Sequence, residues 1–475
     1  MNNQIYVNKL RAMFNSKNSD IAIIDSQDDR RYTYSELTTI IEINSQWLSS
    51  NYSKQILVSR TSNSCSDIIL MLVCWNLGRT FFPLDHNLQK DEVNRILGEL
   101  KDYDYLEDHF CVTNQVNMLS HSAIFSKLFD NTNVMISSTS GTTGEIKLIP
   151  IEFQNIYRGL ESLLLAYKID YKITTVTIMP FAYQGGWLDH VLKAFLTGGT
   201  VIATEVFDGI TSKKHLKYFE TEKVNYLHIN PAIATVLIFL QERSDQKILP
   251  YLRCLGLGFS PIDLDSKIKL SRLFGDSVFQ EFGISETFYI SAEGPSDTSK
   301  PKSVGKIIEG NSIKILKDEE LISQPDTIGE LLIKTPYMFQ SYLNNEDNAF
   351  IDGYFCTGDI GYFDSDGYVY IIGRIKDIIK KAGYSIHPLE VEKVILNFPG
   401  ILECCVFKVV GANLQEKIGA AVISNLQIDV SKLKKFCEEN LTQSKVPDFF
   451  YFLSEIPKNP SGKFLRKVLT SKYSS

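Results

Sequence analysis

The polarity pattern changes twice along the chain, and each change marks a different kind of structure. Up to about residue 260, short apolar runs alternate with amphipathic stretches. Ile21-Ala22-Ile23-Ile24, Gln55-Ile56-Leu57-Val58, Thr175-Val176-Thr177-Ile178-Met179 and Thr200-Val201-Ile202-Ala203 have the length and composition of buried strands. Residues 34–48 and 67–77 place their apolar side chains at helical spacing. This alternation predicts an α/β fold with largely parallel sheets. From about residue 303 to 370 strands and turns follow one another: Ser312-Ile313-Lys314-Ile315, Glu330-Leu331-Leu332-Ile333 and Tyr368-Val369-Tyr370-Ile371-Ile372. Asp364-Ser365-Asp366-Gly367 between two of them is a hairpin signal, so a small antiparallel β region is expected. Past Gly373-Arg374 the pattern changes again. Pro388 suits the first turn of a helix through Glu390, Val391, Val394 and Ile395; strands at 404–409 and 419–423 and a helix at 430–440 complete a compact α+β unit.

Composition narrows the class. At 475 residues the chain exceeds one ordinary core, so at least two domains are expected. A hydrophobic share of 44% and a charged share of 22% are those of a soluble globular protein. The net charge of −7 gives no electrostatic ground for a nucleic-acid partner. The most apolar run, 68–75, is too short for a bilayer and is flanked by Asp67 and Arg79, so no membrane partner is expected. Met1-Asn2-Asn3-Gln4 lacks the basic and apolar regions of a signal peptide. The eight cysteines are scattered, and Cys404-Cys405 are adjacent instead of spaced as ligands. Reduced buried thiols and a cytoplasmic location are the expectation.

The densest chemistry lies at Ser137-Ser138-Thr139-Ser140-Gly141-Thr142-Thr143-Gly144-Glu145-Ile146-Lys147, after the apolar Val134-Met135-Ile136. Glycines let a loop turn successive N–H groups toward one point, hydroxyls add donors, and Lys147 adds charge; such a loop suits a polyphosphate. It is not a Walker A loop, because the second glycine of that motif would fall on Ile146. Four further clusters accompany it: Gln280-Glu281-Phe282-Gly283-Ile284-Ser285-Glu286-Thr287; Tyr354-Phe355-Cys356-Thr357-Gly358-Asp359; Gly373-Arg374-Ile375-Lys376-Asp377 with Gly383-Tyr384-Ser385; and Asn459-Pro460-Ser461-Gly462-Lys463.

In this order and spacing the clusters resemble the adenylate-forming superfamily of acyl- and aryl-CoA synthetases, nonribosomal peptide synthetase adenylation domains and luciferases. The resemblance runs from about Tyr32 to Leu469. It implies a large N-terminal domain, residues 1–373, of two α/β subdomains plus the small β region, joined by a hinge at 374–376 to a mobile α+β C-terminal domain, residues 377–475. It implies ATP and Mg²⁺. Thr139, Ser140, Gly141, Thr142, Thr143 and Gly144 would hold the β- and γ-phosphates, with Lys147 adding charge. Gly258 and Phe259 on one side and Phe282, Gly283 and Ser285 on the other would flank the adenine. Glu286 would meet the metal, and Asp359 and Arg374 the ribose. Lys463 would reach the substrate carboxylate and the α-phosphate. Lys376 would be the hinge residue, and Gly383 would line the passage for a pantetheine thiol.

Departures from the family pattern modify this picture. Ile146 and Leu148 replace a proline and a glycine around Lys147, which implies a stiffer or differently bent loop exit. Ser285 replaces a threonine and keeps the hydroxyl, and Phe153 replaces a frequent histidine. The acid pocket should be lined by Ala182, Tyr183, Trp187, Glu281, Tyr289 and Ile290. Ala182 stands where an α-amino-acid enzyme carries an aspartate, so an aryl or short acyl acid is expected. Phe81-Phe82-Pro83-Leu84-Asp85 with Glu92 and Arg95 resembles the adenylation-domain form, which leans toward a carrier protein in trans over CoA as the thiol. The implied activity is acyl-adenylate formation with release of pyrophosphate, then transfer to a phosphopantetheine thiol. The alternatives are a stand-alone amino-acid adenylating enzyme and a catalytically silent nucleotide-binding homologue.

Overall fold

The computed structural model describes residues 4–17, 19–107, 110, 112, 124–140, 146–295, 300–344, 349–381, 383–411, 415–459 and 462–474. Its internal packing separates two compact units. The first comprises residues 1–299, 307–311 and 334–348; the second comprises 300–306, 312–333 and 349–475. The small β region thus belongs with the C-terminal α+β part, and the expected hinge residues 374–376 fall inside the second unit.

The first unit carries largely parallel sheets, as expected, with antiparallel strands added at their margins. Ile56–Thr61 pairs in parallel with Thr80–Asp85 and Tyr103–Leu106, and Thr80–Asp85 in parallel with Asn133–Ser140. The antiparallel strand Ile146–Glu152 closes this sheet. In a second sheet Ile21–Asp25 and Thr174–Val176 run parallel to Thr200–Ala203, and Arg31–Thr33 is the antiparallel edge. The expected strand at 175–179 is shorter than its apolar run, because Ile178 and Met179 leave the ladder to join the core formed by Leu227, Ile229, Leu237, Leu255 and Leu257. In a third sheet Tyr226–Ile229, Cys254–Leu257 and Val278–Ile284 are parallel, followed by antiparallel Phe288–Ala292.

Local chemistry sets the helix starts. Thr33 with Glu36 and Ser64 with Asp67 form capping boxes before helices Tyr34–Asn51 and Cys65–Asn76. Asn230 caps Pro231–Glu242, whose first residue is the proline favoured there.

In the second unit Tyr354–Phe363 pairs antiparallel with Gly329–Lys334, Phe350–Ile351 and Val369–Arg374. The Asp364–Gly367 turn is as expected: Gly367 has φ 84° and its N–H donates to the Asp364 carbonyl at 3.0 Å. Helices Pro388–Leu396 and Val430–Asn440 pack on a sheet of Ile401–Val410, Glu416–Ser424 and Phe449–Phe452, around Val391, Ile395, Val406, Ile418, Val422 and Leu433. Among the described residues, no helix is long and apolar enough to cross a membrane.

Candidate active site

The hydroxyl run enters as strand as far as Ser140, so Thr139 and Ser140 lie in a ladder where loop was expected. Thr139 faces Lys147 and Ser140 faces Ile146 across an antiparallel ladder. The connecting tip, with Gly141, Thr142, Thr143 and Gly144, lies outside the described residues, as does the side chain of Ser140. The exit is extended, not bent: Ile146 and Leu148 both belong to Ile146–Glu152. The Asn344 amide fastens it, donating to the Ile146 carbonyl at 2.7 Å and to Glu99 Oε2 at 2.8 Å, while its oxygen accepts the Leu148 N–H at 2.9 Å. Phe153 is buried and packs edge-on against Trp75 at 5.5 Å.

Lys147 and Glu286 meet on one tyrosine. The Lys147 ammonium lies 4.7 Å from the centre of the Tyr342 ring, within cation–π range. The Tyr342 hydroxyl donates to Glu286 Oε1 at 3.0 Å, and the Glu286 carbonyl accepts the Phe339 N–H at 2.9 Å. The cation assigned to phosphate and the carboxylate assigned to the metal are therefore held by a shared side chain. An oxygen donor beside a cation fits a magnesium–triphosphate pair. Tyr342 carries no motif, so nothing in the sequence pointed to it.

The residues expected to flank the adenine divide between two strand ends. Val278–Ile284 runs through Glu281, Phe282 and Gly283, with its register broken between Phe282 and Gly283. A side chain at Gly283 would stand 2.4 Å from the Phe288 carbonyl, so only glycine permits this pairing. Phe282 and Ser285 are half-buried. Gly258 abuts His228, and Phe259, at φ 67°, lays its ring 4.6 Å from the His228 ring.

In the second unit Asp359 and Arg374 are register partners, and Arg374 Nε donates to the buried Asp359 carboxylate at 2.7 Å. Lys463 lies among the same charges. Its N–H donates to Asn459 Oδ1 at 2.8 Å, and the Asn459 N–H returns a bond to its carbonyl at 2.9 Å. Burial, then Arg374 and Lys376, push the Lys463 ammonium down to about 8, against the pull of Asp359 and Asp377. Lys376 sits in the turn Ile375–Asp377, where burial and Arg374 likewise lower it. Gly383 is exposed at φ 83°, between Ile379–Lys381 and Tyr384–Ile386, with open space where a side chain would begin.

Of the residues expected to line the acid pocket, Tyr289 and Glu281 join an ion-pair network that the sequence did not announce. Ala182 and Tyr183 are half-buried ahead of the π-helix Gly186–Leu192. Trp187, Tyr289, Ile290 and Glu281 are buried. The Tyr289 hydroxyl donates to Asp189 Oδ1 at 2.7 Å; Lys193 Nζ lies 2.5 Å from the same oxygen and 2.6 Å from the Tyr226 hydroxyl. His228 stands between Asp189 at 3.0 Å and Glu281 at 3.3 Å, and Tyr167 donates to Glu281 at 2.8 Å. Burial would raise Asp189, but His228 and Lys193 outweigh it and hold the carboxyl well below its usual range. For Glu281 burial wins and the pKa is raised. The carboxylates and the imidazole present donor atoms within 4.8 Å of one another, as metal ligands would. Lys193 already supplies the positive charge at Asp189, so the cluster is an internal salt-bridge network.

The chain matches two family models: AMP-binding enzyme over residues 113–343 and AMP-binding enzyme C-terminal domain over residues 390–463. It is 33% identical to 2-succinylbenzoate–CoA ligase of Bacillus licheniformis, over 70% of this chain and 69% of that protein. It is 29% identical to oxalate–CoA ligase of Arabidopsis thaliana, over 70% of this chain and 66% of that protein, just under two thirds of its length. The o-succinylbenzoate–CoA synthetase of Bacillus subtilis, solved with its acyl-adenylate intermediate, superposes with a TM-score of 0.85 at 25% identity, covering 97% of each chain.

Proposed function

Because this chain belongs to the AMP-binding enzyme family, the adenylate-forming superfamily, we propose that it is an AMP-forming acid–thiol ligase. The observation that carries this reading is the grouping of Lys147 and Glu286 on Tyr342. In the first half-reaction the acid carboxylate attacks the α-phosphorus of ATP, and pyrophosphate leaves with the electrons of the broken P–O bond. In the second a thiol attacks the acyl carbon, and AMP leaves. Lys147 meets the outer phosphates, Asp359 and Arg374 the ribose, and Phe282 and Phe259 flank the base. Glu286 would hold Mg²⁺, which would supply neutralisation of the phosphate charge. Lys463 places its ammonium where carboxylate and α-phosphate oxygens converge, a point that gains negative charge in the transition state. Lys376, within the second unit, serves as the hinge ahead of residues 377–475, and Gly383 leaves room for the thiol arm.

CoA is the acceptor we favour, because the relatives are CoA ligases; a carrier protein is the second candidate, on the segment Phe81–Asp85. A cytoplasmic setting suits the reduced cysteines. The test is pyrophosphate release from ATP and Mg²⁺ across a panel of carboxylic acids, followed by CoA or a phosphopantetheinylated carrier as acceptor. Acid-dependent release and a thioester are expected. No release with any acid, from folded protein that binds ATP, would overturn the ligase reading in favour of a silent homologue.

The lowered Lys463 pKa gives a pH signature. Only the ammonium form is useful, and it is lost as pH rises through the folded-state value of about 8. Adenylation kcat/KM, which reports the free enzyme, should fall on the alkaline side with a midpoint near that value. Lys463→Arg, whose charge persists throughout, should abolish that midpoint in whatever activity remains.

A further inference from the structure

The acid-pocket segment and the adenine-flanking segment approach each other more closely than either role requires. A side chain added at Gly185 would begin 1.9 Å from Phe259 Cε1 and 2.5 Å from its Cζ. The Phe259 ring therefore fills the space above the Gly185 backbone. The ring also lies 4.6 Å from the His228 ring, tilted by 31°, and packs against the core that contains Leu257 and Ile229. His228 is pressed against Gly258, where a side chain would begin 2.6 Å from Nε2. The φ of 67° at Phe259 is disfavoured in a bulky residue, so the ring is kept there against a backbone preference. In the neighbouring network Lys193 already faces Asp189, and His228 lies between Asp189 and Glu281.

We infer that Phe259 is a specificity-determining wall, and that the ligase takes short monocarboxylic acids with uncharged tails. This deepens the ligase reading and rests on it. A ring lodged between Gly185 and His228 occupies the depth that an aromatic acid would need. A second carboxylate on the substrate would meet Glu281 and Asp189 before any cation not already opposed, and burying it there without a partner is costly. The expectation of an aryl or short acyl acid thus narrows to the short acyl class.

Two measurements test this separately from the reaction. The first is a thermal-melt cycle with Gly185→Ala, Phe259→Gly and the double variant. Gly185→Ala is expected to lower Tm by several degrees, and Phe259→Gly to restore most of that loss in the double variant. Additive shifts would show that the ring does not fill that space, and would overturn the inference whether or not the protein is a ligase. The second is pyrophosphate release with propionate, butyrate, malonate, oxalate, benzoate and 2-succinylbenzoate. The unaltered protein should favour propionate and butyrate at least tenfold over the others. Phe259→Gly should raise the benzoate-to-propionate ratio of kcat/KM at least tenfold. A preference of the unaltered protein for the aromatic or dicarboxylic acids would overturn the inference while leaving the ligase reading intact. No release with any acid, with a coupled melt cycle, would sink the ligase reading and the substrate class built on it, leaving only the packing of Phe259.

Discussion

Lys463→Ala should lower the rate of adenylate formation by about two to three orders of magnitude, the loss typical of removing one preorganised charge stabiliser from a transition state. The argument begins with where the lysine sits. Its backbone is fixed at both polar atoms by Asn459, so the ammonium leaves from a defined point. Arg374 and Lys376 nearby disfavour its charge, and burial disfavours it more. A cation held against such opposition attracts incoming oxyanions strongly. Pyrophosphate exchange with ATP and the preferred acid is the measurement. The loss should appear in kcat, with ATP affinity nearly unchanged, because Lys147 and the Asp359–Arg374 pair are assigned to the ground state. A fall of less than tenfold would remove Lys463 from the chemical step.

Lys193→Met should destabilise the first unit by about 3–5 kcal/mol, the usual cost of leaving a buried charge without its partner. Lys193 is fully buried, 2.5 Å from Asp189 and 2.6 Å from the Tyr226 hydroxyl. Methionine keeps most of the volume and removes the charge, so packing contributes little to the loss. Asp189 is held well below its usual range partly by this lysine, and after the change its buried carboxylate loses its ammonium partner. Urea unfolding followed by tryptophan fluorescence reads the effect, since Trp187 lies on the π-helix with Asp189. Adding Asp189→Asn should recover part of the loss, because it removes the stranded charge. A loss below 1 kcal/mol would mean that the network does not hold a full lysine charge.

Much of this architecture was legible beforehand, and the boundary between legible and hidden has a physical cause. Helix Val430–Asn440 matched its periodicity, and the Asp364–Gly367 turn was written in residues that suit no other conformation. Asp359 and Arg374 were legible as motif residues, and their register pairing brings them together. Strand ends were misjudged where polar residues continue a ladder: Ser137–Ser140 look like loop by composition but stay paired because Ile146–Glu152 offers them partners. Tyr342 and the Asp189–Lys193–His228 network were hidden for another reason. Each is assembled by contacts between residues far apart in sequence, and one tyrosine or lysine has no pattern of its own. The four-residue spacing of Asp189 and Lys193 was a faint signal, but it marks exposed helices far more often than buried ones.

The amide of Asn344 carries a lesson about degenerate motifs. Proline and glycine usually shape the departure of the phosphate-binding segment from within; here isoleucine and leucine stand in their places, and the shape is imposed from outside by a single carboxamide that reaches Ile146 and Leu148 from almost two hundred residues downstream. Two letters missing from a signature are therefore poor evidence of decay when a distant residue has taken over their mechanical task. Among relatives of this chain, the residue occupying position 344 should covary with the pair at 146 and 148, and a lineage that lost all three would be the better candidate for a relic.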